Sequence, residues 1–186
     1  MIGNARRSAC FACCTQEVPV SIAVQLEPRL DKPPGVEYRW DSDTEILSAH
    51  LKPGSEASGL SGSVGVEGTD GSWLILDVNG GRINAVEVAV WPDVRQRSTL
   101  LAPQSVEELA VLIPAGRSSR EVRSVEVATH LSAESDAGRT TIHFRLGSPR
   151  EGRAVRLASD ILLDVDAQNR VTGVWLLNVP PCPSSV

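Results

Sequence analysis

Apolar residues in this chain recur mostly at every second position, the period of a strand whose alternate side chains face one core. Val20, Ile22, Val24 and Leu26 carry the first such stripe, within residues 18–26. It breaks at Asp31-Lys32-Pro33-Pro34-Gly35, where the prolines fix φ and the glycine permits a reversal. Val36, Tyr38 and Trp40 then share one face, Asp41-Ser42-Asp43 supplies turn chemistry, and Leu47, Ala49 and Leu51 resume the alternation, which predicts a hairpin. Residues 53–71, rich in Gly and Ser, read as a mobile loop with at most a weak strand around Val64 and Val66. Residues 73–78, the turn Asn79-Gly80-Gly81 and residues 83–90 form the clearest hairpin, and Trp91-Pro92 ends it because proline cannot donate to a ladder.

Further along, Ser105-Val106-Glu107-Glu108 matches a capping box and predicts a short helix stopped before Pro114, although residues 110–113 also fit a strand. Strands are expected at 124–131, 140–146, 154–157, 161–166 and 171–179, before the breaker Pro180-Pro181-Cys182-Pro183. The second half lies over the first. Leu47, Ala49 and Leu51 fall on Ile142, Phe144 and Leu146; Leu76-Asp77-Val78 on Leu163-Asp164-Val165; Val86 to Val88 on Val174 to Leu176; and Trp91-Pro92 on Val179-Pro180. The fold expected is therefore mainly β, with two meander repeats in one pseudo-symmetric sandwich or barrel and a short linking helix. Its parts are a loose leader at 1–17, a first β repeat with its leading strand at 18–97, a linker with the helix at 98–123, and a second β repeat at 124–186.

One set of residues recurs in both halves as Tyr38, Asp41, Asp43, Leu47, Leu76-Asp77, Gly81-Arg82-Ile83 and Val86-Glu87-Val88, against Asp136, Ile142, Leu163 to Asp166, Arg170-Val171 and Gly173-Val174. Each half thereby resembles a small bacterial domain family of unknown function. Its pattern runs tyrosine-aspartate, an acidic turn, Asp-x-Leu-x-Ile, then Leu-Asp-x-Asp-x-x-Gly-Arg-Val-x-Gly-Ile-Glu-Ile. Ala85, Asn169 and Trp175 depart from it. The resemblance implies kinship of fold and supplies no activity.

Composition narrows the picture. The chain's 186 residues can bury a core without metal or disulfides, but aromatic residues are few, so the interior must be built from aliphatic side chains. A formal net charge of -5 argues against nucleic acid as a partner, the arginines from Arg117 to Arg123 notwithstanding. No apolar run is long enough for a membrane-spanning helix. Arg6 and Arg7 are not followed by the apolar core of a secretory signal, and a cytoplasmic location is the expectation. Cys10, Cys13, Cys14 and Cys182 form no disulfide framework and read as reduced thiols.

No residue set amounts to a catalytic signature. Cys10, Cys13 and Cys14 lack the further ligands of a structural zinc site, so neither metal nor cofactor is expected. Asp41, Asp43, Asp77, Asp136, Asp164 and Asp166 sit at turns, where a carboxylate accepts local backbone hydrogen bonds, and the calcium-loop pattern is absent. His50, His130 and His143 could supply a general base, but His50 and His143 alternate away from the apolar stripe. Trp73, Trp91 and Trp175 are assigned to the face opposite the aliphatic stripe and, with Glu87, make the candidate binding set. The expected function is a non-catalytic protein-binding or assembly module that meets a protein partner or a second copy through that face. The alternative is a small β-barrel enzyme or binding protein for an apolar metabolite, using Asp77, Asp164 or a histidine in a cavity.

Overall fold

The computed structural model describes residues 21–52, 61–114, 123–148 and 150–183. Among them the alternating stretches become fifteen strands with no helix. The first half supplies β1 (Gln25–Pro28), β2 (Val36–Asp41), β3 (Ile46–Leu51), β4 (Gly62–Gly68), β5 (Trp73–Asn79) and β6 (Arg82–Val90). The connecting stretch holds β7 (Val94–Gln96), β8 (Val106–Glu107) and β9 (Leu109–Leu112). The second half holds β10 (Arg123–Thr129), β11 (Leu131–Ser135), β12 (Ile142–Leu146), β13 (Gly152–Ala158), β14 (Ile161–Asp166) and β15 (Val171–Leu176).

Two large sheets pack as a sandwich, and the barrel alternative is not realised. The six-stranded sheet runs β10-β4-β5-β6-β3-β2, and the seven-stranded sheet runs β7-β11-β12-β15-β14-β13-β8. Within them β2-β3-β6-β5-β4 and β11-β12-β15-β14-β13 are connected identically. Their registers also agree: Leu47 opposes Val88 and Ala49 opposes Val86 in one, as Ile142 opposes Leu176 and Phe144 opposes Val174 in the other. Even the irregularity is shared, falling just after Asp77 in β5 and just after Asp164 in β14. The inward positions on both sides are fully buried aliphatic residues, Leu47, Leu74, Leu76, Val86 and Val88 against Ile161, Leu163, Val174 and Leu176, with Phe144 the one ring among them. At His130 the chain changes sheets, since β10 pairs with β4 while β11 pairs with β12.

Three sequence expectations change. The capping-box segment is not helical: Val106 and Glu107 pair with β13, and Leu109 to Leu112 pair with β1. Two free strand edges take up the backbone groups that a short helix would have left unsatisfied at its ends. Secondly, the Gly/Ser-rich stretch contains a complete strand, β4, whose Val64 and Val66 are buried. Its Gly65 lies under the indole of Trp73, where an added Cβ would stand 2.7 Å from Nε1. That ring supplies the cover a glycine in a strand lacks. Thirdly, the leading strand is split, with Ile22 and Val24 buried, Ala23 bridged to Arg170, and the regular part shifted to β1. Val18 to Val20, the leader with Cys10, Cys13 and Cys14, and Arg117 and Arg120 lie outside the described residues. Arg29 lashes the β1–β9 ribbon to the seven-stranded sheet by donating to the carbonyls of Leu109 at 2.8 Å, of Arg156, and of Leu157 at 3.3 Å.

The turn between β14 and β15 is held by one buried carboxylate. Asp166 accepts from the backbone N–H groups of Gln168 and Arg170, both at 2.9 Å, and from the side chains of Arg170 at 2.9 Å and Arg150 at 3.2 Å. Burial alone would raise its pKa, but these donors outweigh it and hold the group below the usual carboxylate range. A depressed folded-state pKa stabilises the protein above the unfolded value, and that contribution is lost as pH falls through the folded one. Urea denaturation should therefore show stability falling below about pH 4. Asp166→Asn should cost about 1–3 kcal/mol at neutral pH and distinctly less in acid. Truncating the fully buried ring in Phe144→Ala should cost about 3–5 kcal/mol at any pH.

Candidate functional site

Because the two halves share a register, each position in one has a partner in the other, and the pairs that differ mark where the halves were put to different use. On the outer face of the six-stranded sheet, the Ser48 hydroxyl lies 3.2 Å from Glu87 Oε2, and Asp77 is exposed. The matching positions on the seven-stranded sheet are His143, Trp175 and Asp164. There the imidazole and indole stack with centroids 3.8 Å apart and planes 7° apart. His143 Nε2 lies 2.8 Å from Asp164 Oδ2, and Trp175 Nε1 donates to the same carboxylate at 3.1 Å. Arg145 Nε lies 3.4 Å from His143 Nδ1, while Arg145 and Arg97 both bind Glu134, at 3.2 and 2.7 Å.

A glycine makes room for this cluster. A Cβ on Gly173 would come within 2.6 Å of Asp164 Oδ2 and 2.9 Å of His143 Nε2, whereas the first half carries Ala85 at the matching place. Residues 97–105 join β7 at one edge of the sheet to β8 at the other, so they must cross it. Both ends of this strap lie on the outer face, Arg97 pairing with Glu134 near one edge and Pro103 and Ser105 standing beside Asp164 and Ala154 near the other, and His143 and Trp175 are buried on the same face. Arg145 Nε is directed at Nδ1 and Nε2 faces Asp164, so both imidazole nitrogens have a neighbour in the cluster. The cluster braces the sheet beneath the strap.

A second difference opens space between the sheets at one end of the sandwich. Trp40 opposes Leu47 at the end of β2, as Ser135 opposes Ile142 at the end of β11. The repeat likewise matches Trp91 with Val179. One half therefore brings two indoles to a place where the other brings a hydroxymethyl and an isopropyl group. Trp40 and Trp91 stack at 5.7 Å and 13°, and Trp91 leans on Phe144 at 5.8 Å. Each indole is pinned by its N–H, Trp91 to the Glu45 carbonyl at 2.8 Å and Trp40 to the Pro180 carbonyl at 2.9 Å. Opposite them the interior is not filled. A cleft of about 430 Å³ remains, walled by Trp40, Trp91, Ile142, Ser135, Arg139 and Pro181. Ser135 is fully buried in that wall, and its hydroxyl has no hydrogen-bond partner.

Acidic turns frame the opening. Asp136 accepts from the Thr141 N–H at 2.8 Å and the Thr140 hydroxyl at 2.9 Å, shaping the turn that holds Arg139 at φ 54°. Burial opposes ionisation of Asp136, yet these donors keep its pKa below the usual range. Asp41 does the same on the other half, accepting from the Asp43 N–H at 3.0 Å ahead of Glu45 at φ 56°. Asp41, Asp136 and Asp166 thus serve as the turn carboxylates read from the sequence, whereas Asp77 and Asp164, read the same way, lie within β5 and β14 on the outer faces of their sheets.

The four binding residues expected from the sequence are not gathered together. Trp73 is 41% exposed beside Val90 on the outer face of the six-stranded sheet, with Glu87 half-buried on the same face. Trp175 lies on the opposite outer face under the strap, and Trp91 lies between the sheets in the cleft wall. His50 and His130 are exposed, and no cluster of metal-ligating side chains occurs among the described residues. Cys182 borders the cleft, exposed and unpaired. Sequence reasoning missed Trp40 and Ser135. Their signal was the substitution of serine for tryptophan between matched positions, visible only once Ala133 to Ser135 is recognised as the counterpart of β2.

No family model and no curated protein matches this chain.

The crowding at Gly173 is testable by a double-mutant cycle on urea midpoints. Gly173→Ala should destabilise by about 2 kcal/mol or more, and the same change in a His143→Ser background should cost clearly less. Equal costs in both backgrounds would place the strain at the Asp164 carboxylate or the Phe144 carbonyl, 2.6 and 3.0 Å from the added carbon, instead of at the histidine.

Proposed function

We propose that the protein is a non-catalytic binding module that takes an apolar ligand into the cleft between Trp40, Trp91 and Ser135. The observation that supports this reading is a half-buried, stacked indole pair facing unfilled space between the sheets. About 430 Å³ falls within the span of ligand pockets, which pair mostly apolar walls with a few placed polar groups. A catalytic reading has less to build on, because the one imidazole–carboxylate pair among the described residues is also bonded to Trp175 and approached by Arg145. Recognition is assigned to the cleft, since Trp73 and Trp175 stand on opposite outer faces and cannot act as one surface.

The reading is tested with an environment-sensitive apolar dye such as anilinonaphthalene sulfonate. Emission should rise and saturate with one site on the wild-type protein. Trp40→Ala should weaken that binding about tenfold, while Trp73→Ala leaves it unchanged. Undiminished dye binding by a folded Trp40→Ala protein would sink the proposal.

A further inference from the structure

We infer that the free edge of β2 pairs antiparallel with β2 of a second copy of this chain, about a two-fold axis at Tyr38, so that the six-stranded sheets of two subunits join into one. Each five-strand set has two terminal strands, and three of these four are extended by a further strand: β4 by β10, β11 by β7 and β13 by β8. β2 is the exception among the described residues. Its matched strand in the second half, β11, is covered on the corresponding edge by β7. The Lys52 N–H donates to the Gly35 carbonyl at 3.0 Å, one step beyond the pair Val36–Leu51, so Gly35 is turned toward β3. By antiparallel alternation Glu37, Arg39 and Asp41 also direct their backbone groups to β3, and Val36, Tyr38 and Trp40 direct theirs outward. The side chains of these three face the core yet are only half-buried, whereas Leu47 and Ala49 beside them on β3 are fully buried. A row of outward N–H and C=O groups on such an edge is a template for another strand.

Charge selects both the partner and the register. The other face of β2 carries Glu37, Arg39 and Asp41, all exposed and alternating in sign, with Arg39 Nη2 2.8 Å from Glu37 Oε1. A run of one sign would repel a second copy, and alternating signs leave the outcome to the register. An axis at Glu37 or at Arg39 sets that residue against its own copy, which is repulsive. An axis at Tyr38 sets Glu37 against the partner's Arg39 twice over, at non-hydrogen-bonded positions where side chains approach most closely. It also sets Val36 against the partner's Trp40, so the outward groups of Val36, Tyr38 and Trp40 are all used, in about six backbone hydrogen bonds. An axis at Trp40 pairs Arg39 with the partner's Asp41, but it leaves Tyr38 against the partner's Ser42, which lies in the turn beyond the strand. β10, the other long terminal strand, has Ser124, Glu126 and Ala128 on one face and no opposite charges there to pair. The contact is isologous and uses up the edge, so assembly stops at two. A single ribbon buries less area than a permanent dimer requires, and the association is reversible.

Sedimentation of the full chain over a concentration series, with a reductant present so that Cys182 forms no disulfide, reads this as a monomer–dimer equilibrium. Wild type should dimerise with a Kd of about 10–100 µM. Glu37→Arg and Arg39→Glu, both at exposed positions, should each weaken self-association about tenfold or more and leave the melting temperature nearly unchanged. Mixed together, these two variants should form a heterodimer, because every opposed pair then carries one arginine and one glutamate. A wild type that stays monomeric at about 500 µM overturns the inference, as does a dimer that both charge reversals leave intact. Self-association retained by Glu37→Arg but lost in Arg39→Glu overturns the axis at Tyr38 in favour of Trp40. A mixture of the two variants that stays monomeric beside a dimeric wild type overturns the cross-strand charge pairing.

Discussion

The structure depends on one packing constraint: two five-strand sets of identical connectivity and matching register face each other through a buried aliphatic core. Side chains alternate at period two, so a strand that buries Leu47 and Ala49 must expose Ser48 and His50, and slipping by one residue would exchange the faces. The shared bulge after Asp77 and Asp164 keeps the two sets in step to the ends of their central strands. Everything with chemical character is then placed where that core lets it go, on the two outer faces or at the ends of the sandwich.

Matched backbones make differences between the halves informative. Where both halves carry aliphatic residues the interior closes, as at Leu76 with Val86 and Leu163 with Val174. Where one half carries a ring and the other a small polar group, the result is either an added cluster or an opening. On the outer face, His143 and Trp175 in place of Ser48 and Glu87 created a stacked, hydrogen-bonded cluster, with Gly173 clearing its space. At the sandwich end, Ser135 in place of an indole left the cleft. The first difference ends in a hydrogen-bonded cluster and the second in unfilled space beside two indoles, which is why the second is read as the binding site.

The strands that were legible from sequence are those with large inward residues and tight, glycine-bearing turns. Trp73 to Val90 reads as a hairpin because Leu74, Leu76 and Val78 alternate into Asn79-Gly80-Gly81, whose glycines take φ of 57° and 83°. β4 was hidden because Gly62, Gly65 and Gly68 dilute its pattern, and its support comes from distant strands, with β5 and β10 pairing its two edges and Trp73 covering Gly65. The segment at 105–112 satisfied a local helix signal, yet local hydrogen bonds lost to two available sheet edges. Asp164 stood out in sequence only as a turn carboxylate, and its bonds to His143 and Trp175 join residues that are separate in the chain.

By itself the sequence determined the β class, the paired order of the two halves and the composition of the core, because those follow from side-chain period and turn chemistry, which are local. Only the tertiary structure decided that the sheets stack as a sandwich instead of closing, that residues 97–105 strap one outer face, and that Trp40, Trp91 and Ser135 meet. Edge pairing, the crossing of a sheet and the filling of space between layers depend on contacts between distant residues, and no window of the chain contains both sides of such a contact.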